Sequence, residues 1–252
     1  MFPYDSQLLD AVSTPPASIA DVIRTMQTID SLCIAGDGLK WFNSLYLQVT
    51  QSVADRVGAG GFSDPAWMAA MDVQFADLYF AALRAALSGG AAPGCWRALF
   101  DRRDQTPIAR IQFALAGVNA HINHDLAIAI VATSKATGTV PSHTSSQYSD
   151  YTNLNTTLDA LIDAAKYSLH VRLLGDALPP VSHMEDTIAA FSVAAAREAA
   201  WNHSEVLWAL RSFPILRDRT LSTLDGMTAL AGKALLVPVP AAQAAIAGLP
   251  GV

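Results

Sequence analysis

Charge is the scarcest commodity in this sequence. Asp, Glu, Lys and Arg make up 15% of its 252 residues, against a usual share of about 25%, and hydrophobic residues make up 52%. A disordered chain is excluded, because this composition has to bury a large core. Basic residues are rarest: 16 Lys and Arg against 22 Asp and Glu leave a net charge of -6. No basic cluster or basic amphipathic stretch offsets that balance, so nucleic acid is not expected as a partner. Cysteine is nearly absent. Cys33 and Cys95 lack the close pairing of a zinc motif and are too few for a disulfide framework, which suits a reducing compartment, and both are expected to act as small buried apolar residues. No run approaches the ~18 apolar residues of a membrane span. The first residues, Met1 to Ser6, show neither the basic nor the apolar part of a secretory leader. A soluble, cytoplasmic protein without a membrane partner is expected. Also missing are the Gly-x-Ser-x-Gly elbow, the phosphate loop and the dinucleotide fingerprint. No nucleotide cofactor is therefore expected, and no known mechanism is written as a motif.

What the chain does have is helical periodicity with clear punctuation. Ser18 with Asp21 opens a helix to about Leu32, Asp37-Gly38 opens one to about Val57, and Ser63-Asp64-Pro65 opens one that ends at Ser88-Gly89-Gly90. A short helix is predicted around Trp96 to Phe100, and Asp104 to Pro107 is read as the cap of a long segment that ends before Gly138. Ser149 to His170, a run from the capping box Ser182-His183-Met184-Glu185 to about Arg211, and Ile215 to Leu235 complete the set. Strand candidates are almost lacking. The prediction is one all-α domain of about seven or eight helices, with its core over 18–236 and loosely held ends at 1–17 and 237–252.

One segment, Ile108 to Ala132, is apolar around its whole circumference and is predicted to be the buried central helix. Its middle breaks the rule. Asn119-Ala120-His121-Ile122-Asn123-His124-Asp125 places five polar side chains in seven positions. At α-helical spacing His121 and Asp125 share one line, while Asn119 and Asn123 share another with Gln112. Unpaired buried polar groups cost about 1–3 kcal/mol each, so these residues either satisfy neighbouring helices or line a wet cavity. A second misplaced acid is Asp72, which falls within the apolar face formed by Met68, Phe75, Ala76, Tyr79 and Leu83. It needs a donor, and His121 is the simplest one. On the helix predicted to end near Arg211, one line carries Glu198, Trp201, Glu205 and Trp208, while the other carries His203, Leu207 and Leu210. The stripe of Trp and Glu suits the wall of an apolar pocket. His143, His170 and His183 fall at loops and helix ends and are read as surface or capping residues.

Asp37-Gly38-Leu39, the stretch Asp72 to Phe80, Gln112 to Gly117, Asn119 to Leu126, and Trp201 with Glu205 to Leu210 together resemble an uncharacterised bacterial family, a domain of unknown function. The resemblance runs from about Asp37 to Pro240, and Ala120-His121-Ile122-Asn123-His124-Asp125-Leu126 is its most specific block. Members often continue with proline where this chain has Ala127, a departure that leaves the helix here without a proline break. The resemblance implies that these blocks form one unit and carries no substrate.

The expected function is that of a small-molecule enzyme acting on a largely apolar metabolite, of the cyclase, isomerase, lyase or hydrolase type. His121 and Asp125 are the candidate acid/base pair and Asp72 the second carboxylate. Asn119, Asn123, His124, Tyr79, Phe75, Trp201, Glu205 and Trp208 are the candidate substrate contacts. No metal is required by this reading. Two alternatives use the same residues. In one, Asp72, His121 and Asp125, with His124, His203 or Glu205 in support, bind Zn, Fe or Mn. In the other, the helices enclose an apolar ligand without catalysis. A homodimer is compatible with all three.

Overall fold

The computed structural model describes residues 2–161, 163–164 and 192–238. Among these no strand occurs, and the chain is a single compact helical domain, as the periodicity predicts. The helices include α1 (Asp5–Ala11), α2 (Ile19–Leu32), α3 (Gly38–Gly58), α4 (Pro65–Leu87), α5 (Gly94–Phe100), α6 (Arg110–Ala120), α7 (Leu126–Thr137), α8 (Ser146–Thr152), α9 (Val193–Ala209) and α10 (Pro214–Leu235), and residues 155–161 are helical as well. A π-helical turn, His121–Asp125, joins α6 to α7 without a break. The predicted capping box at Ser182, together with His170, His183 and the end from 239 onward, lies outside the described residues.

Most of the starts follow from the capping chemistry. The Ser18 hydroxyl accepts the Asp21 N–H, the Asp37 carboxylate accepts the Leu39 N–H, and Asp64 accepts the Trp67 N–H ahead of Pro65; each satisfies an orphan donor of a first turn. The central helix starts differently. Its predicted cap at Asp104 is replaced by Gln112, whose Oε1 accepts the Ala109 N–H at 2.7 Å. Gly138 ends α7 in the left-handed conformation at φ 71°, where a side chain would be strained.

The N-terminal segment corrects an expectation. Residues 4–12 are pinned rather than loose, with Leu8 and Val12 fully buried, while Ser13 to Ala17 lie mostly exposed. Arg103 bonds Asp37 through Nε at 3.1 Å and Nη2 at 2.7 Å and also reaches Asp5 at 2.7 Å, while the Tyr4 hydroxyl donates to Asp37 at 3.0 Å. This buried ion cluster ties α1 to the α2–α3 corner and to the loop before α6. Its bidentate geometry compensates the charge of Asp37 in the low-dielectric interior.

The chain α6–π turn–α7 runs through the centre and is covered by α3, α4, α9 and α10. Close approach is built in at Gly117. A β-carbon there would overlap the Phe42 ring of α3, so the glycine lets Phe42 reach the polar turn.

Candidate active site

The π turn is the feature that α-helical spacing does not anticipate. On an ideal α-helix His124 points away from the line shared by His121 and Asp125. In the wider turn the Asp125 carboxylate lies between both rings. Its Oδ2 is 3.1 Å from His121 Nδ1, its Oδ1 is 2.7 Å from His124 Nδ1, and the Trp96 indole N–H of α5 donates to Oδ2 at 2.8 Å. Single π turns inside helices occur often at functional sites, because the extra residue re-aims side chains.

All three residues are buried. Burial alone raises a carboxyl, yet the hydrogen bonds from His121 and His124 outweigh it and hold Asp125 below its ordinary 3.8. Burial also dominates at His121 and lowers it from 6.5 despite Asp125. At His124 burial is outweighed by the bond to Asp125, and the charges of Asp125 and Asp225 add to the rise. The result is an ionised Asp125 beside a neutral His121 and a more basic His124. An ionised carboxylate only accepts, so the His121 proton sits on Nδ1 and Nε2 keeps its lone pair.

That Nε2 is buried and has no hydrogen-bond partner among the described residues. The ring stacks on Phe75 with centroids 3.4 Å apart and planes 6° apart, and Tyr46 meets it edge-on at 4.4 Å. Phe42 and Trp96 close the box at 5.7 Å and 5.9 Å. His121, Tyr46, Phe75, Val118 and Ile122 line a cavity of about 60 Å³, with Arg197 of α9 on the same wall. This is far below the about 300 Å³ at which ligand pockets begin, and it is large enough for a few small atoms.

Asp72 does not pair with His121. Its Oδ2 has no hydrogen-bond partner among the described residues, and burial raises its carboxyl from 3.8 to about 7. Burial and then the Asp72 charge push the Tyr46 phenol well above its ordinary value.

The remaining candidates divide among other places. Asn119 donates to the Thr228 carbonyl of α10 at 2.9 Å and accepts from Asn123 at 3.0 Å, while Gln112 donates to the Leu235 and Val237 carbonyls. That second polar face fastens α10 and does not line the cavity. Tyr79 lies behind Phe42 and Trp96, its ring 6.4 Å from His121. The Trp and Glu stripe of α9 is also away from His121. Trp201 packs on Trp67, Tyr148 and Tyr151. Glu205 and Glu198 take the two nitrogens of His143 at 2.8 Å and 3.0 Å, and Trp208 lies under Arg211. His203 borders a surface groove of about 400 Å³ between α9 and α10.

Sequence reasoning passed over Tyr46, Phe42 and Arg197. Arg197 carried a signal, a lone cation in the Ala-rich start of α9. It is buried, donates to the Tyr151 carbonyl at 2.6 Å and to Asn155 at 2.7 Å, and lies over the Tyr151 ring. For Trp96 no pattern pointed to Asp125.

Metal ligation by Asp72, His121 and Asp125 is not favoured by this geometry. Among the described residues, the one group of three or more His, Cys, Asp or Glu whose ligand atoms lie within 4.8 Å of one another is Cys95, His124 and Asp225.

Fold and site together define an all-α domain around a buried histidine–carboxylate pair. Residues 19–238 match the model of a family of unknown function, DUF5995, and the chain belongs to that family. No curated protein and no solved structure matches the chain. No helix among the described residues is long and apolar enough to cross a membrane.

Proposed function

We propose that the chain is a small-molecule enzyme working by general acid/base chemistry at His121 on a largely apolar substrate. One observation carries this reading: a buried imidazole whose Nδ1 is held by Asp125 and whose Nε2 faces no donor or acceptor of the described chain. A buried polar nitrogen left unpaired costs about 1–3 kcal/mol. A substrate proton would offset that cost. Nε2 in this tautomer accepts a proton, Asp125 stabilises the imidazolium that forms, and the proton returns in a later step. Isomerisation, cyclisation, elimination and hydrolysis all need that sequence. The aromatic walls suit an apolar substrate body, and Arg197 also lines this cavity.

The small cavity favours one alternative, a non-catalytic helical protein that admits only a small apolar ligand. A full metabolite enters only when covering side chains such as Phe75 and Tyr46 are displaced. Incubating wild-type and His121→Gln protein with a bacterial metabolite extract, and comparing the two by untargeted mass spectrometry, separates the readings. The enzyme reading expects at least one compound converted by the wild type alone, at unchanged mass or with gain or loss of water. Identical profiles from two folded proteins overturn it.

A further inference from the structure

On the other side of Asp125 a second group of side chains converges. Cys95 in the first turn of α5, His124 in the π turn and Asp225 in the middle of α10 bring their ligand atoms within 4.8 Å of one another. The three elements are remote in sequence, and each residue is held by further bonds. His124 Nδ1 is engaged by Asp125 at 2.7 Å, which leaves Nε2 as the nitrogen free to coordinate. A carboxylate on the far nitrogen is the usual support of a metal-bound histidine. Asp225 accepts the Gly94 N–H at 2.9 Å and the Cys95 N–H at 2.8 Å, fixing its carboxylate beside the sulfur with lone pairs to spare. Cys95 is fully buried, His124 is buried, and Asp225 is half-buried, so the cluster has a dry inner side and an outer side toward solvent.

We propose that Cys95, His124 and Asp225 form a Zn²⁺ site, with Asp125 orienting His124 and the outer position left to water. One sulfur, one nitrogen and one oxygen donor suit a borderline ion that accepts all three. Calcium and magnesium take oxygen ligands, and copper(I) favours a sulfur-rich set. Three protein ligands plus a position open to water is the arrangement of catalytic zinc sites, whereas closed structural sites use four. The ion links α5, the π turn and α10. It does not depend on catalysis at His121, because its ligands and its readout are separate.

The test is titration of untagged, chelator-treated full-length protein with Co²⁺ as a spectroscopic substitute, followed by competition with Zn²⁺. One equivalent should give a thiolate-to-cobalt charge-transfer band in the near ultraviolet, and Zn²⁺ should abolish it. The chain has two cysteines, so Cys33→Ser must retain the band and Cys95→Ser must lose it. Asp225→Asn and His124→Gln should each lose stoichiometric binding. Asp125→Asn should weaken it by about 10- to 100-fold, the usual effect of losing a supporting carboxylate. Absence of the band in wild type, its loss in folded Cys33→Ser, or its persistence in Cys95→Ser overturns the proposal. Should Cys95→Ser not fold, the wild-type and Cys33→Ser spectra decide, since any thiolate band in the latter comes from Cys95.

Discussion

The central helix carries two polar faces that look alike in sequence and differ in how their hydrogen bonds close. On one, Gln112, Asn119 and Asn123 spend their amides on backbone carbonyls of α10 and its end, or on one another. On the other, His121, His124 and Asp125 bond among themselves and to Trp96, yet His121 Nε2 stays unpaired among the described residues and the residue lines a cavity. A polar group in a core is therefore not in itself a sign of chemistry. What separates a fastening from a site is an unspent donor or acceptor beside space.

The comparison breaks most visibly at His121. His121→Gln should lower turnover of the substrate found by profiling by about 10²–10⁴-fold, the usual contribution of a general acid/base, while the melting temperature moves little. Because burial lowers His121 below 6.5, the acid limb of kcat/KM should lie below pH 6.5. A limb above 6.5, or full activity of the variant, would assign the base elsewhere.

The next largest effect belongs to Asp72. Its folded value of about 7 lies above the ordinary 3.8, so between them the folded chain keeps a proton that the unfolded chain has released. Stability should fall as pH rises through that window, in total by roughly 4 kcal/mol at about 1.4 kcal/mol per pH unit. Denaturant melts from pH 4 to 8 should show this slope in wild type and its absence in Asp72→Asn. An equal slope in both proteins refutes the assignment.

On the closed face the effect is smaller and of another kind. Asn119→Leu leaves the Thr228 carbonyl and Asn123 without their partner and should cost about 1–3 kcal/mol of stability with turnover unchanged. If turnover falls instead while stability holds, the two faces are not distinct. Gly117→Ala drives a methyl into Phe42 and should cost a similar about 1–3 kcal/mol through overpacking. Its crystal or NMR structure should show Phe42 displaced from His121.

The smallest effect is expected at the α9 cluster. His143 bridges Glu198 and Glu205 near the surface, and half-exposed ion pairs of this kind contribute about 0–1 kcal/mol. His143→Ala should shift the denaturation midpoint by no more than that and leave turnover intact, whereas a loss comparable to His121→Gln would move the site to α9.

Much of this was legible from residue order because it is local. Ser18, Asp37 and Asp64 announce helix starts through bonds within one turn. The apolar circumference around Ala114 and Ile130 marks a segment surrounded on all sides, and the run Asn119 to Asp125 shows that polar groups are forced into its interior. The resemblance carried by the Ala120 to Leu126 block is borne out by the family match over residues 19–238. Other readings did not survive contact with neighbours. Trp201 and Glu205 share a stripe on α9, but the stripe packs on α4, α8 and His143. Asp72 shares an apolar face, yet its Oδ2 stays unpaired among the described residues and His121 pairs with Asp125 instead.

The sequence by itself determined the helical class, the central helix and the presence of misplaced polar groups, because periodicity and capping act over three or four residues and depend on nothing further away. Only the tertiary structure decided which polar groups are spent and which are free. The central helix opens into a π turn at His121–Asp125, and packing of its neighbours seats Trp96 on the Asp125 carboxylate, binds Asn119 to Thr228 and sets Cys95 beside His124 and Asp225. The partners Trp96 and Asp125, and Asn119 and Thr228, stand tens to more than a hundred positions apart, and no local pattern encodes which of them meet.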